Sequence, residues 1–187
     1  MPGIFNINIK DGIVYKSFNN ENAYGKSLQK KIKYDMEKYI YNIKNSYKLP
    51  IIGKYIPECI DVNNTNGNYS MKFIEGINLM DLLNKNDNAC KSAGWISKEI
   101  KLEKSMIEDI VIELTNLEEN LNKYNEQYTL RGDWYLHNLI YNIKSKKIYN
   151  VDLDGFYTYF YTDKSCNPVC NPKNLSNHYK NLRKYIT

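Results

Sequence analysis

The chain has 187 residues, of which 42% are hydrophobic, 25% charged and 13% aromatic, and these fractions are typical of an ordered globular protein. This length can form one sizeable core or two small lobes, which excludes an assembly of more than two domains. The net charge of +5 is mild and spread along the chain, so an RNA partner remains open but is not favoured.

The N-terminal residues 1–5 lack the basic and apolar stretches of a secretory signal. No apolar run reaches the roughly 18–20 residues that would cross a bilayer. We therefore expect an intracellular, cytoplasmic protein with no membrane partner and with its four cysteines reduced. Cys166 and Cys170 resemble half of a zinc site, but no second close cysteine pair exists, so we expect free thiols.

The first half of the chain begins with a predicted hairpin. Residues 4–9 and 13–18 are short β-type runs, and the Lys10-Asp11-Gly12 segment between them is a tight-turn signal. Residues 21–45 carry apolar side chains at helical spacing, which predicts one long amphipathic helix. Two more strands, at 55–62 and 69–74, give the order strand, strand, helix, strand, strand.

The second half is predicted to be mainly helical, with one hairpin. Asn78 is a plausible cap for a short helix that starts beside it, and residues 105–124 carry one apolar helical face. Residues 85–101 show weak periodicity and predict a loop. A hairpin is predicted from runs at 139–143 and 147–151, and a terminal helix at 177–185.

Two polar segments, residues 131–138 and 150–156, flank the last predicted hairpin. They supply a carboxylate at Asp133, an amide at Asn138 and a second carboxylate at Asp152. Because Asn138 precedes one strand and Asp152 follows its partner, antiparallel pairing should return both side chains to the same end of the hairpin. Carboxylate and amide oxygens that meet in this way suit a divalent cation bound to a triphosphate, so the pattern predicts metal-assisted phosphoryl transfer.

These segments resemble the catalytic and metal-binding loops of the protein-kinase-like superfamily, and in particular the small-molecule phosphotransferases related to aminoglycoside and choline kinases. Gly132-Asp133, Asn138 and Val151-Asp152 match the family pattern, whereas Arg131 stands where the family has a His. The resemblance covers residues ~10 to 157 in order, and its specific core is 131–155.

The resemblance implies an α+β, two-lobed protein-kinase-like fold. Residues 1–76 would form an N-lobe with a small antiparallel sheet and a helix. Residues 77–187 would form a reduced, mainly helical C-lobe that contains the catalytic loop and the metal-binding hairpin. The family's Gly-rich loop is missing before Lys16, and no Ala-Pro-Glu segment follows Gly155, which argues against a regulated protein kinase with a long activation loop.

The resemblance also assigns roles to individual residues. Asp133 would take or orient the proton of the acceptor hydroxyl, while Asn138 and Asp152 would hold Mg²⁺ against ATP. Lys16, between apolar residues of the second strand, would grip the phosphates, and Glu37 on the long helix is the expected carboxylate partner that holds it extended.

A hinge that reads the adenine edge through backbone groups is expected between residues 71 and 76. Met71 and Phe73 are its expected nucleotide-binding residues, although an ordinary edge strand would look the same. His137 is expected to pack rather than to touch substrate. The acceptor cleft beside Asp133 is expected to be lined by aromatic residues, namely Trp134, Tyr135 and Tyr157.

The expected function is an ATP- and Mg²⁺-dependent phosphotransferase that acts on a hydroxyl acceptor, most readily a small molecule. Two alternatives remain open from the sequence. One is a non-catalytic kinase-fold module that binds a nucleotide or a partner, and the other is a compact protein or RNA kinase. The sequence leaves the acceptor and the oligomeric state open.

Overall fold

The computed structural model describes residues 5–83, 104–128 and 132–155, and over these ranges the protein is α+β, with antiparallel sheets and helices. Its strands are β1 Phe5–Lys10, β2 Ile13–Phe18, β3 Cys59–Val62, β4 Tyr69–Lys72, β5 Ile77–Asn78, β6 Leu139–Asn142 and β7 Lys147–Asn150. Its helices are α1 Ala23–Tyr34, α2 Met36–Asn45, α3 Leu79–Leu83 and α4 Lys104–Gln127.

The first sheet has the order β1-β2-β4-β3, and every neighbouring pair is antiparallel. Along the chain, the predicted pattern of two strands, a helical segment and two more strands is confirmed. Asp11 and Gly12 turn the first hairpin with positive φ angles of 51° and 74°, which is the backbone twist that a tight two-residue turn needs. β3 starts later than predicted because Gly53–Tyr55 forms a 3₁₀ turn.

The single helix predicted over residues 21–45 is wrong, because the chain forms two helices that meet at Asp35. The φ and ψ angles of Asp35, −141° and 47°, lie outside the helical region. Its amide donates to the Ile32 carbonyl, and its own carbonyl accepts from Tyr39, so one helix ends and the next begins at this residue. The apolar spacing continues across the break, since Ile32 and Tyr39 are both fully buried.

The second sheet has the order β5-β6-β7, and it contains the predicted hairpin. β6 and β7 pair from Leu139 with Asn150 to Asn142 with Lys147. Asn78 caps α3 as predicted, because its Oδ1 accepts from the amides of Met80 and Asp81 at 3.0 and 3.2 Å. This cap fixes where the chain leaves the sheet.

One hydrophobic core contains buried side chains from both sheets and from the predicted helix α4, among them Val14, Met71, Leu117 and Tyr141. The proposed division into lobes at residue 76 falls between the two sheets and stays a prediction. The loop predicted at 85–101 and the helix predicted at 177–185 lie outside the described residues. None of the helices in the described ranges has a stretch long and apolar enough to cross a bilayer.

Candidate functional site

The two polar segments that the sequence singled out meet at one end of the β6–β7 hairpin. The Val151 amide donates to the Asn138 carbonyl at 2.9 Å, directly beyond the pair of Leu139 with Asn150. Asn138 and Asp152 therefore flank the same end of the hairpin. The predicted placement of these two residues at one end of the hairpin is confirmed, while the meeting of their side chains and their role as metal ligands stay predictions.

Asp133 lies in a tight loop that its own neighbours stabilise. Gly132 has a φ of 91°, a conformation that favours glycine, and it turns the chain into the loop. The Tyr135 amide donates to Asp133 Oδ1 at 3.3 Å, and Asn138 Nδ2 donates to the Asp133 carbonyl at 3.3 Å. Asn78 Nδ2 donates to the His137 carbonyl at 2.7 Å, so the cap of α3 also holds the end of this loop.

Asn150, which was not predicted as a site residue, connects the loop of Asp133 to the loop of Asp152 through two hydrogen bonds. It is fully buried. Its Nδ2 donates to the Asp133 carbonyl at 2.8 Å, and its Oδ1 accepts from the Asp152 amide at 3.0 Å. A polar residue at the end of an apolar strand, directly before Val151-Asp152, is the sequence signal that could have found it.

We expect Asn150→Ala to lower the free energy of unfolding by about 1–3 kcal/mol, since it leaves the partly buried Asp152 amide without its acceptor and the Asp133 carbonyl with only the longer bond from Asn138. Asn142→Ala is the matched control. Asn142 lies on the same hairpin and makes two similar bonds, to the Glu75 carbonyl and from the Ser145 amide, but both are exposed. Its loss should stay below about 1 kcal/mol. Urea unfolding measures both, and equal losses would contradict the bridging role of Asn150.

Gly155 lets the two acidic residues approach each other. A Cβ atom at this position would lie 2.8 Å from Asp152 Oδ2, 3.1 Å from the Asp133 amide nitrogen and 3.2 Å from Asp133 Cβ. Asp133 and Asp152 therefore lie around the same point, and a side chain at position 155 would push against both.

Lys16 extends from β2 onto this cluster, although it is 136 positions from Asp152 in the sequence. Its Nζ lies 3.3 Å from the Val151 carbonyl, 3.3 Å from Asp152 Oδ1 and 3.5 Å from Asp154 Oδ1. Burial alone would lower the pKa of Lys16, but attraction to Asp154 and Asp152 outweighs burial and raises the pKa above its ordinary value. The buried ammonium thus stays charged.

The expected pairing of Lys16 with Glu37 is wrong. The carboxylates that Lys16 contacts within the described residues are those of Asp152 and Asp154, and Glu37 is exposed in the first turn of α2. Helical spacing could not decide this, because many helical Glu residues face solvent and the partner comes from a distant loop. The carboxylate partners of Lys16 therefore come from the loop after β7 and not from a helix.

Asp154 is a second residue that sequence reasoning missed. It is buried, and the Tyr69 hydroxyl donates to its Oδ1 at 2.8 Å. Burial and the neighbouring Asp152 carboxylate raise the pKa of Asp154 to about 7, although Lys16 opposes this shift. Its position two residues after Asp152 in the same loop is the only signal that the sequence offers.

The predicted hinge residues lie in a different setting from the one expected. Met71 is fully buried in β4, which is an interior strand, and it pairs with Val14 on one side and Cys59 on the other. The Phe73 amide donates to the Gly12 carbonyl at 2.9 Å. The alternative of an ordinary edge strand is therefore wrong for Met71, while the hinge expected between residues 71 and 76 stays a prediction.

The predicted aromatic lining of the acceptor cleft is only partly available. Trp134 is buried in the core, where it is 3% exposed, so it offers little surface to an acceptor. Tyr135 is half-buried, and its ring stacks on the exposed His137 ring at 5.5 Å between centroids. Tyr157 and Arg131 lie outside the described residues.

Asp152 and Asn138 are too few to form a metal site from protein ligands alone, but they suit a Mg²⁺ ion whose other ligands are phosphates and water. The described residues contain no cluster of three or more His, Cys, Asp or Glu side chains that could hold a metal ion. Mg²⁺ is commonly bound by one or two carboxylates together with substrate phosphates and water. Asn138 Nδ2 is used by the Asp133 carbonyl, which leaves its amide oxygen as the atom suited to a cation.

No family model, no curated protein and no solved structure matches this chain.

Proposed function

We propose that the protein is an ATP- and Mg²⁺-dependent phosphotransferase with a two-lobed, protein-kinase-like arrangement, which transfers the γ-phosphate to a hydroxyl acceptor. The observation that carries this proposal is the meeting of Lys16, from the first sheet, with Asp133, Asn138 and Asp152, from the loops beside the second sheet. A cation, two carboxylates and an amide from three separate segments of the sequence come together in one cluster.

This set of groups suits phosphoryl transfer because that reaction depends on positioning and on electrostatic stabilisation rather than on covalent chemistry by the protein. Asp152 and Asn138 would hold Mg²⁺, which would neutralise part of the negative charge of the phosphates. Lys16 would contact the phosphates, and Asp133 would orient the hydroxyl of the acceptor and accept its proton.

A non-catalytic module that binds a nucleotide or a partner is the second candidate, and a specific observation favours it. An ammonium group has three N–H donors, and Lys16 has three acceptors at 3.3–3.5 Å within the protein. A phosphate would have to replace one of them. The absence of a Gly-rich loop before Lys16 in the sequence supports the same candidate.

Calorimetry with ATP, with and without Mg²⁺, tests the proposal. We expect saturable binding with a Kd in the range of about 1 μM to 1 mM that requires Mg²⁺. Mg-ATP binding without turnover of any acceptor would favour the non-catalytic module. The proposed function fails if neither ATP nor Mg-ATP binds to the folded protein.

We expect the acceptor to be a neutral or anionic small molecule, such as a sugar or a nucleoside, rather than a polycation. Binding a polycation would require several carboxylates around its amines, and the net charge of +5 would repel it at long range. A panel of sugars, nucleosides, choline, aminoglycosides, RNA and a generic protein substrate measures this as ATP consumption. Selective turnover of an aminoglycoside would contradict the charge argument, and turnover of RNA or protein would point to the compact protein or RNA kinase.

A further inference from the structure

Two carboxylates contact Lys16, but they differ in what else they can do. Asp152 lies beside Asn138 at the end of the hairpin, and 21% of its side chain is exposed, so a cation could reach it. Only 8% of the Asp154 side chain is exposed. The two carboxylates are therefore suited to separate tasks.

We propose that Asp154, held by the Tyr69 hydroxyl, is the positioning residue that keeps Lys16 directed at the phosphates when Asp152 binds the cation. This inference rests on the proposed function. It gives Asp154, from the loop after β7, the task that the sequence resemblance assigns to Glu37.

The bond lengths in the cluster support this division. Charge-assisted bonds between an ammonium and a carboxylate are usually about 2.7–2.9 Å long, so the contacts of Lys16 at 3.3 and 3.5 Å are loose. The Tyr69–Asp154 bond, at 2.8 Å, is the short one. Tyr69 belongs to β4, which pairs with β2, and its register places it opposite Lys16. The first sheet thus fixes both Lys16 and the residue that anchors its partner.

The surroundings of the ammonium keep water away from this pair. Lys16 Nζ lies 5.4 Å from the centroid of the Phe5 ring and 5.5 Å from that of the Tyr69 ring. Aromatic faces attract a cation, and burial strengthens its attraction to a carboxylate. The two rings and Asp154 therefore all favour the charged form of Lys16 at this position.

The number of N–H donors on Lys16 suggests how the site could bind a phosphate. The three N–H groups of Lys16 face Val151 O, Asp152 Oδ1 and Asp154 Oδ1. A cation on Asp152 would draw that carboxylate away and release one N–H for a phosphate oxygen. Asp154 and the Val151 carbonyl would still hold the other two, so Lys16 would keep its direction.

A double-mutant cycle in Mg-ATP affinity tests this inference. We expect Asp154→Asn to weaken Mg-ATP binding by about 10-fold or more, the lower range for losing a group that orients a ligand-binding side chain. In a Lys16→Met background the same Asp154→Asn change should have less than about a twofold effect, because Asp154 acts through Lys16. A merely structural role would weaken binding equally in both backgrounds and would overturn the inference.

Tyr69→Phe covers the case in which Asp154→Asn does not fold. It removes only the hydroxyl that holds Asp154, and we expect a loss of about 3- to 5-fold that also disappears in the Lys16→Met background. Asp61→Asn, a matched charge change at an exposed position of β3, is the control and should have no effect.

Three further results would overturn the inference while leaving the proposed function standing. These are unchanged affinity in folded Asp154→Asn, unchanged affinity in Tyr69→Phe, and a loss in Glu37→Gln as large as that in Asp154→Asn. Failure of the wild-type protein to bind Mg-ATP would overturn the proposed function and the inference with it. That result is obtained with the wild-type protein alone, so failure of the proposed function can be distinguished from failure of the inference about Asp154.

Discussion

We expect Asp152→Ala to weaken the binding of Mg-ATP by about 100-fold or more, which would leave no productive nucleotide complex at ordinary concentrations. Asp152 is a partly exposed carboxylate at the meeting point of the two loops, and a carboxylate is the strongest protein ligand available to Mg²⁺ there. Substitutions that act only through a neighbouring group cost about 10–100-fold in metal affinity, so loss of a direct ligand should cost at least the upper value.

Calorimetry in the presence of Mg²⁺ measures this effect, with Asp61→Ala as the control. Asp61 is an exposed aspartate in β3, and its removal changes the net charge in the same way. Urea unfolding shows whether Asp152→Ala is folded at the temperature of the titration. Unchanged Mg-ATP affinity in a folded Asp152→Ala variant would refute the metal role.

The second large effect is expected for Asp133→Asn, which should lower turnover by about 10²–10⁴ while Mg-ATP affinity stays within about twofold. The substitution removes the capacity to accept a proton but keeps an oxygen that can accept from the Tyr135 amide, so the loop should keep its shape. A fall in turnover without a change in affinity identifies a group that acts on the acceptor rather than on the nucleotide.

Initial rates with an acceptor found by the substrate panel measure this effect. Asn138→Ala provides a useful contrast, because it should weaken Mg-ATP binding as well as turnover. Undiminished turnover in Asp133→Asn would remove the catalytic assignment even if the protein proves to be a kinase.

The sequence alone predicts the local elements and the short-range geometry well. Alternation of apolar residues places Lys16 on a strand, and the spacing of Asn138 and Asp152 around a hairpin is enough to bring them together. Both results depend on contacts between residues that are near each other in the chain or paired across a single turn. Periodicity and antiparallel register determine such contacts.

The partners of the long-range contacts could not be predicted in the same way. Pairing of Lys16 with Asp154 rather than with Glu37 depends on how the first sheet packs against the loop after β7, and no periodic pattern encodes that packing. The break at Asp35 was missed for a different reason. The apolar face continues through it, so the two helices have the same spacing as one.

The lack of a side chain at Gly155 provides a simple criterion for comparing other sequences with this one. The backbone nitrogen of Asp133 fills the space into which a side chain would grow, and backbone cannot rotate away as the end of a side chain can. An alanine here would require the Asp133 backbone to shift by a few tenths of an ångström, and a larger residue would require more. A chain that shares the hairpin and both acids but carries a bulky residue at this position must therefore hold the two acids further apart than they are here.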